Sequence, residues 1–407
     1  MLTERNTPAI IPSIPDEAAS ALREWLAVVA VTIGAFAFVT TEFLPVGLLP
    51  HIARDFGVLP GMAGLLVTIP GIVAAISAPG LMMAAGRMDR RHVFLLLTTL
   101  LLASNVVCAL APNLVVMLIG RALLGAALGG FWTLATAAAG RLVQQKDTAR
   151  AMSIILTGVG CATVMGVPLG TFIADIASWR ASFAATGALV AVALIAQYFL
   201  VPSLPSAEAL RIHDLISLLR RSHVQKSVLM VGLVFGAHFC AYTYIAPFLL
   251  ANEHFSMQNI TWLLLGFGAI GFVSNLMASS FVARSPRTAI AVVASVLMLA
   301  LVSLPVFRNS HAGVIAILLV WGACFGALPL TFSMWMTRAT RERPEAGSAL
   351  LVSIVQIAIA AGSFIGGGLV DRFGIPSDLL FGGALAMLGL AVLASFNLRA
   401  GNDACCQ

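Results

Sequence analysis

Charge is scarce in this 407-residue chain. Asp, Glu, Lys and Arg together make up 10% of it, where a soluble domain carries roughly 25%. With 60% hydrophobic residues, a soluble fold would have to hide more apolar surface than it can, because roughly half of any folded surface stays wet. Disorder requires the opposite composition. The strict apolar–polar alternation of a membrane barrel is missing. No P-loop of the form GxxxxGK[ST] is present, so ATP is not expected to drive the protein directly. No His/Cys cluster has metal-ligand spacing and no Ser-His-Asp arrangement is visible, so the sequence points to no enzyme activity, no metal and no cofactor. Residues 1–24 lack the basic start and cleavage site of a signal peptide. Cys108, Cys161, Cys240 and Cys324 lie in apolar runs and Cys405 and Cys406 at the end of the chain, which is no disulfide framework.

What remains is a polytopic helical membrane protein. Eleven stretches between residues 56 and 398 are free or nearly free of charge and long enough to cross a bilayer, which takes about 20 residues. A further run, Trp25 to Leu49, is broken only by Glu42. Twelve spans are therefore expected. Eighteen of the 23 basic residues fall on the side that holds the two ends of the chain and the connections after even-numbered spans. That bias predicts both termini in the cytoplasm. The net charge of +6 thus reflects topology, and no nucleic-acid partner is read from it.

The chain divides into a tail (1–24), six spans (25–201), a linker (202–226), six spans (227–397) and a second tail (398–407). Within the linker, Leu210, Leu215, Leu218 and Leu219 with their basic neighbours suggest an amphipathic helix on the membrane surface. The halves repeat: at an offset of 196 residues, Gly166, Gly170, Asp175 and Gly187 fall on Gly362, Gly366, Asp371 and Gly383. Two parallel six-span repeats are a transporter architecture with a site at the midplane between them. Pro45, Pro168, Pro247 and Pro329 are candidate bending points. GFGAIG (266–271) matches GxGxxG, but it lies inside a span, so the reading is helix packing and not dinucleotide binding.

Glu42 is the one acid well inside a span and Arg121 the one base. A membrane carboxyl is a natural proton site. Counting about 1.5 Å per residue puts both groups at similar depth. They can form a couple that a proton weakens, or a static ion pair. His238 in the seventh span, with Tyr242 beyond it, and Gln356 in the eleventh can hydrogen-bond a polar ligand. Phe131, Trp132 and Trp321 can stack on a planar one.

These residues fall into familiar patterns. The chain resembles the drug:proton antiporter-1 branch of the major facilitator superfamily, starting with TEFLPVGLLPHIARDFGV (41–58). Asp89-Arg90-Arg91 sits where that family carries GxxxD[RK]xGR, although Ala85 replaces the first Gly and no Gly follows Arg90. Arg121 with Gly125 matches the fourth-span RxxxG signature, in which the Arg is associated with proton coupling. GVPLG (166–170) loosely resembles GPxxGG, with Pro168 and Gly170 carried over and Val167 and Thr171 departing from it. Trp179, Arg180 and Phe183 match WRxxF. Within the branch, 119–143 and TYIAP (243–247) look most like purine ribonucleoside efflux permeases, while sugar and drug exporters share much of the pattern.

The resemblance implies an all-α membrane protein of two pseudo-symmetric six-helix bundles in a bacterial inner membrane. It would be a monomeric proton-coupled exporter of small organic molecules working by alternating access. Glu42 and Arg121 would couple protons. Asp89, Arg90, Gly125, Pro168 and Gly170 would serve the conformational change. A sugar or drug exporter, or a membrane receptor that transports nothing, are the other readings. The substrate, the direction of transport and the proton stoichiometry are not legible.

Overall fold

The computed structural model describes residues 14–85, 88–204, 212–251 and 255–396. The expected tails, Cys405, Cys406 and Leu210 therefore lie outside the described residues, apart from the part of the first tail after residue 13. All extended elements are helices: α1 (Ile14–Phe56), α2 (Pro60–Ala85), α3 (Arg90–Leu110), α4 (Leu114–Leu142), α5 (Thr148–Ile176), α6 (Trp179–Leu200), α7 (Ile212–Leu219), α8 (Ser222–Tyr242), α9 (Ile245–Leu250), α10 (Met257–Arg284), α11 (Pro286–Val306), α12 (His311–Ala339), α13 (Pro344–Phe373) and α14 (Ser377–Ser395). Twelve of them, all but α7 and α9, are long and apolar enough to span a membrane. In lipid a helix satisfies its backbone internally, which is why an apolar run of this length folds this way.

The helix starts carry their own signals. Asn113, Ser178, Ser256 and Ser310 each accept a hydrogen bond from the backbone N–H three residues on, at the starts of α4, α6, α10 and α12. All four caps stand at one end of the bundle, the sparsely charged end. Asp89 caps α3 at the opposite, basic end. Large apolar side chains such as Leu110, Phe199, Met277, Val306 and Phe373 are exposed on the perimeter, where a membrane protein meets lipid and a soluble one would aggregate.

Helices α1–α6 pack on one another, and so do α8 and α10–α14. The halves meet where α2 lies on α13 and α5 on α10. Equivalent glycines do equivalent work. A Cβ on Gly166 would meet Thr40 and one on Gly170 would meet Leu44; Gly362 and Gly366 stand against Gly236 and Cys240 in the same way. Each of these pairs obeys the 196-residue offset. The glycines at 266–271 are filled by neighbouring helices: Gly268 against Val164 and Gly271 against Gly322.

Two local features depart from expectation. The seventh span is discontinuous: α8 ends at Tyr242 and α9 begins at Ile245. The break precedes Pro247, whose missing N–H is tolerated in the first turn of α9. Thr243 Oγ1 donates to Phe239 O at 2.7 Å and Tyr244 Oη to Ser363 O at 2.7 Å, which ties down the turn between the two segments. The linker helix α7 packs on α13 and α8, and Leu218 is buried in the second half's core while Ile216 and Leu219 stay exposed. It is docked on protein at Leu218.

Candidate functional site

Prolines determine what the fourth span's arginine meets. A helix carbonyl normally accepts from the N–H four residues on. Residues 45 and 70 are proline, so Thr41 O and Leu66 O have no such donor. Arg121, wholly buried on α4, fills both: Nη1 donates to Thr41 O at 2.7 Å and Nε to Leu66 O at 2.7 Å. Nη2 donates to the main-chain carbonyl of Glu42 at 2.8 Å. One turn further, Gly125 stands against the backbone of Pro70, so close that a Cβ would displace it. The RxxxG pair on α4 is thus matched to Leu66 and Pro70 on α2. The expected Glu42–Arg121 couple is not a direct ion pair: the guanidinium bonds backbone carbonyls and attracts the Glu42 carboxylate at longer range, while the carboxylate takes its hydrogen bond elsewhere.

The carboxylate turns to the other half. Glu42, buried on α1, accepts from Gln356 Nε2 of α13 at 3.2 Å. Gln356 Oε1 is buried and has no partner among the described residues. Beside them, Phe43 stacks on Phe239 of α8 with ring centroids 5.7 Å apart. The residue before Phe239 is His238, which the 196-residue offset makes the second-half equivalent of Glu42.

His238 sits in an aromatic cage. Its ring stacks on Phe325 at 4.0 Å and on Tyr242 at 5.0 Å. Trp321 Nε1–H donates to His238 Nδ1 at 3.0 Å. An indole N–H can only donate, so Nδ1 is the acceptor and the imidazole proton is on Nε2. That Nε2–H is buried without a partner among the described residues. His238 therefore offers a fixed donor.

The other expected residues divide. Tyr242 and Trp321 are in the cage with Phe267. Phe131 is in the first half's interior, stacked on Phe38 at 4.0 Å. Trp132 is beside it, edge-on and partly open. Asp89 Oδ1 accepts from Arg91 N and Leu204 N, each at 2.8 Å, and Ser203 Oγ donates to Oδ2. Arg90 N donates to Leu204 O at 3.0 Å. These two fasten the end of the sixth span's segment to α3 within one half. Pro168 lies inside α5, where its carbonyl accepts from Thr171 Oγ1. Gly170 allows α5 to close on Leu44 of α1. The Trp179-Arg180 pair grips Asp55 at the end of α1, at 3.2 and 2.7 Å.

Sequence reasoning passed over a second buried acid. Asp378, at the start of α14, is wholly buried, and its carboxylate oxygens have no partner among the described residues. Its place near a helix start hid it in a count of charge-free runs.

Among the described residues, the hydrogen bonds between the halves run from the middle of the bundle to its sparsely charged end. They join Glu42 to Gln356, Thr171 to Thr261 at 3.0 Å, and Gly61 N to Asp371 Oδ1 at 2.8 Å. At that end Gly64 and Gly367 close around the Tyr244 hydroxyl.

Comparison with known proteins bears on this arrangement. Residues 31–350 match the Major Facilitator Superfamily. Proteins named purine ribonucleoside efflux pump NepI, from Salmonella paratyphi C and Salmonella typhimurium, are 33% identical over 371 residues, covering 91% of this chain and 94% of theirs. Among solved structures, a bacterial homolog of the human lysosomal transporter Spinster, in an inward-facing and unoccupied conformation, superposes with a TM-score of 0.72 at 15% identity. That match covers 91% of this chain and 96% of the other. The human organic anion transporter MFSD10 gives 0.66 at 17% identity, covering 91% and 99%. These two likenesses concern the fold.

Proposed function

Because the chain belongs to the major facilitator superfamily and is a multi-pass membrane transporter, we propose that it exports purine ribonucleosides in exchange for protons. The membrane is a bacterial cytoplasmic membrane, with both termini inside. The near full-length similarity to proteins named for nucleoside efflux supports the substrate and the direction. The 18 basic residues at one end support the orientation.

The observation that carries the reading is the Glu42–Gln356 hydrogen bond. It joins a buried carboxylate of one half to the other half, at the depth where transporters of paired repeats place their cargo. Glu42 takes the proton. Gln356 and the fixed Nε2–H of His238 supply polar contacts to a purine, and Trp321 and Tyr242 hold the histidine. Arg121 sets the position of Glu42 through its own main chain. With the sparsely charged end held shut by Asp371 and Tyr244, this state faces the cytoplasm and loads substrate. Rocking of the two bundles opens the other end, where a proton enters.

Proteoliposomes with an imposed pH gradient test the reading. Inosine or guanosine should move against the proton flux, and sugars and unrelated drugs should not. Movement of drugs or sugars without nucleosides would assign a different export class. Movement of no solute under a proton gradient would favour a receptor.

A further inference from the structure

We infer that the side-chain amide of Gln356 couples proton to substrate by turning over when Glu42 changes protonation state; this rests on the proton role proposed above for Glu42. In the structure the amide presents its N–H to Glu42 Oε1 at 3.2 Å, and its own Oε1 is buried without a partner among the described residues. An ionised carboxylate only accepts, so it holds the amide by its N–H side and leaves the amide oxygen available. A protonated carboxyl keeps an accepting oxygen but gains an O–H that needs an acceptor, and the unpartnered amide oxygen is the one that meets it. Half a turn of the terminal amide meets that demand with the backbone unmoved, since the oxygen and nitrogen ends have nearly the same shape. The proton arrives from water at the open end and leaves to water at the other. Only hydrogen bonds are exchanged.

Arg121 attracts the Glu42 carboxylate from beside its main-chain carbonyl, and no other charged side chain bonds the pair among the described residues. Arg121, from α4, directs its three hydrogen bonds at carbonyls. Helices α2 and α9 contain no titratable residue. At the depth of Glu42, α5 presents Gly166 and Gly170 to α1; its Asp175 pairs with His51 nearer the sparsely charged end, at 3.4 Å. Asn105 of α3 bonds Thr41, and Cys108 faces Met117 O. On α6, Gln197 bonds Thr98, and Arg180 and Tyr198 are at its two ends. From α8, His238 accepts from Trp321 at Nδ1 and keeps its Nε2–H without a partner among the described residues. On α13 itself, Asp371 and Arg372 lie at the far end.

One proton thus converts the free side of Gln356 from acceptor to donor. A ligand that gives a hydrogen bond to Gln356 is held while Glu42 is ionised and met by a like donor once it is protonated. The two cargoes exclude each other without sharing an atom, which is the requirement of exchange.

The test uses the full chain in lipid nanodiscs with inosine as probe. In wild type, inosine should release a proton at mildly acid pH, and its affinity should fall about tenfold on protonation, the scale of one mismatched buried hydrogen bond. Gln356→Met removes a purine contact, so it should bind inosine more weakly, with the same affinity at both pH values and without proton release. Release of wild-type size from that variant would overturn the relay and leave the proton role of Glu42 standing; no release from wild type would overturn the proton role itself. Infrared difference spectra of protein with ¹³C-labelled glutamine amides decide the matter without ligand, should Gln356→Met not bind. The carboxyl band of Glu42 should appear on acidification together with a shifted amide band, and both should vanish in Glu42→Gln. A carboxyl band with no amide shift overturns the relay; absence of both overturns the proton role.

Discussion

Asp89 shows how one side chain serves an architectural end. Burial works to raise its pKa, but hydrogen bonds from Ser203, Leu204 N–H and Arg91 N–H outweigh it and hold the carboxyl below its ordinary value. A group with a depressed folded value stabilises the fold fully above the unfolded value of about 3.9 and loses that contribution as pH falls through the folded one. The clasp therefore persists throughout the neutral range. Asp89→Ala should lower unfolding stability at neutral pH by about 1 kcal/mol, and the difference from wild type should shrink in strong acid. Thermal unfolding in detergent at two pH values checks both. At this scale the sequence was a good guide to which groups matter and a poor guide to what they touch. Glu42 and Arg121 stood out because a buried charge is rare in a span. Their true partners, Gln356 and three main-chain carbonyls, come from other helices, and no spacing along one helix encodes them. The equivalence of His238 and Glu42 was available in the 196-residue offset.

Helices were the most legible elements, because a charge-free run of sufficient length has no other stable form in lipid. Their interruptions were less so. Pro247 marked the seventh span, yet the break lies at Thr243–Tyr244, where Thr243 Oγ1 bonds Phe239 O and Tyr244 Oη bonds Ser363 O of α13. Pro45 and Pro70 have a more specific use: each removes the N–H that would occupy the carbonyl Arg121 needs. Pro45→Ala should restore the Thr41 bond within α1 and evict Arg121 Nη1. Because an interior proline disfavours a helix by about 3 kcal/mol relative to alanine, the variant should unfold no more readily than wild type while its transport rate falls severalfold. Transport at wild-type rate would mean that the clamp on Thr41 has no part in positioning Glu42.

Over the whole molecule, the twofold repeat sets two bundles against each other through α2–α13 and α5–α10. The contact at the sparsely charged end is made of small residues around one phenol, so it is open to disruption by size alone. Gly64→Val would place its Cβ in the Tyr244 hydroxyl. The closed end should then fail to form. Spin labels across the α1–α2 and α13–α14 turns should show a longer distance in the variant than in wild type; an unchanged distribution would show that the seal tolerates the added bulk. Both halves, the carboxylate and the clamp that aims it finally serve one claim, that a proton on Glu42 drives export.

The most direct measurement compares wild type and Glu42→Gln in proteoliposomes, following inosine under an imposed pH gradient and, separately, inosine exchange with no gradient. Gln keeps the shape of the side chain and cannot ionise. The account predicts that gradient-driven accumulation disappears in Glu42→Gln while exchange of inosine for inosine persists. Gradient-driven accumulation at the wild-type level in that variant would contradict it.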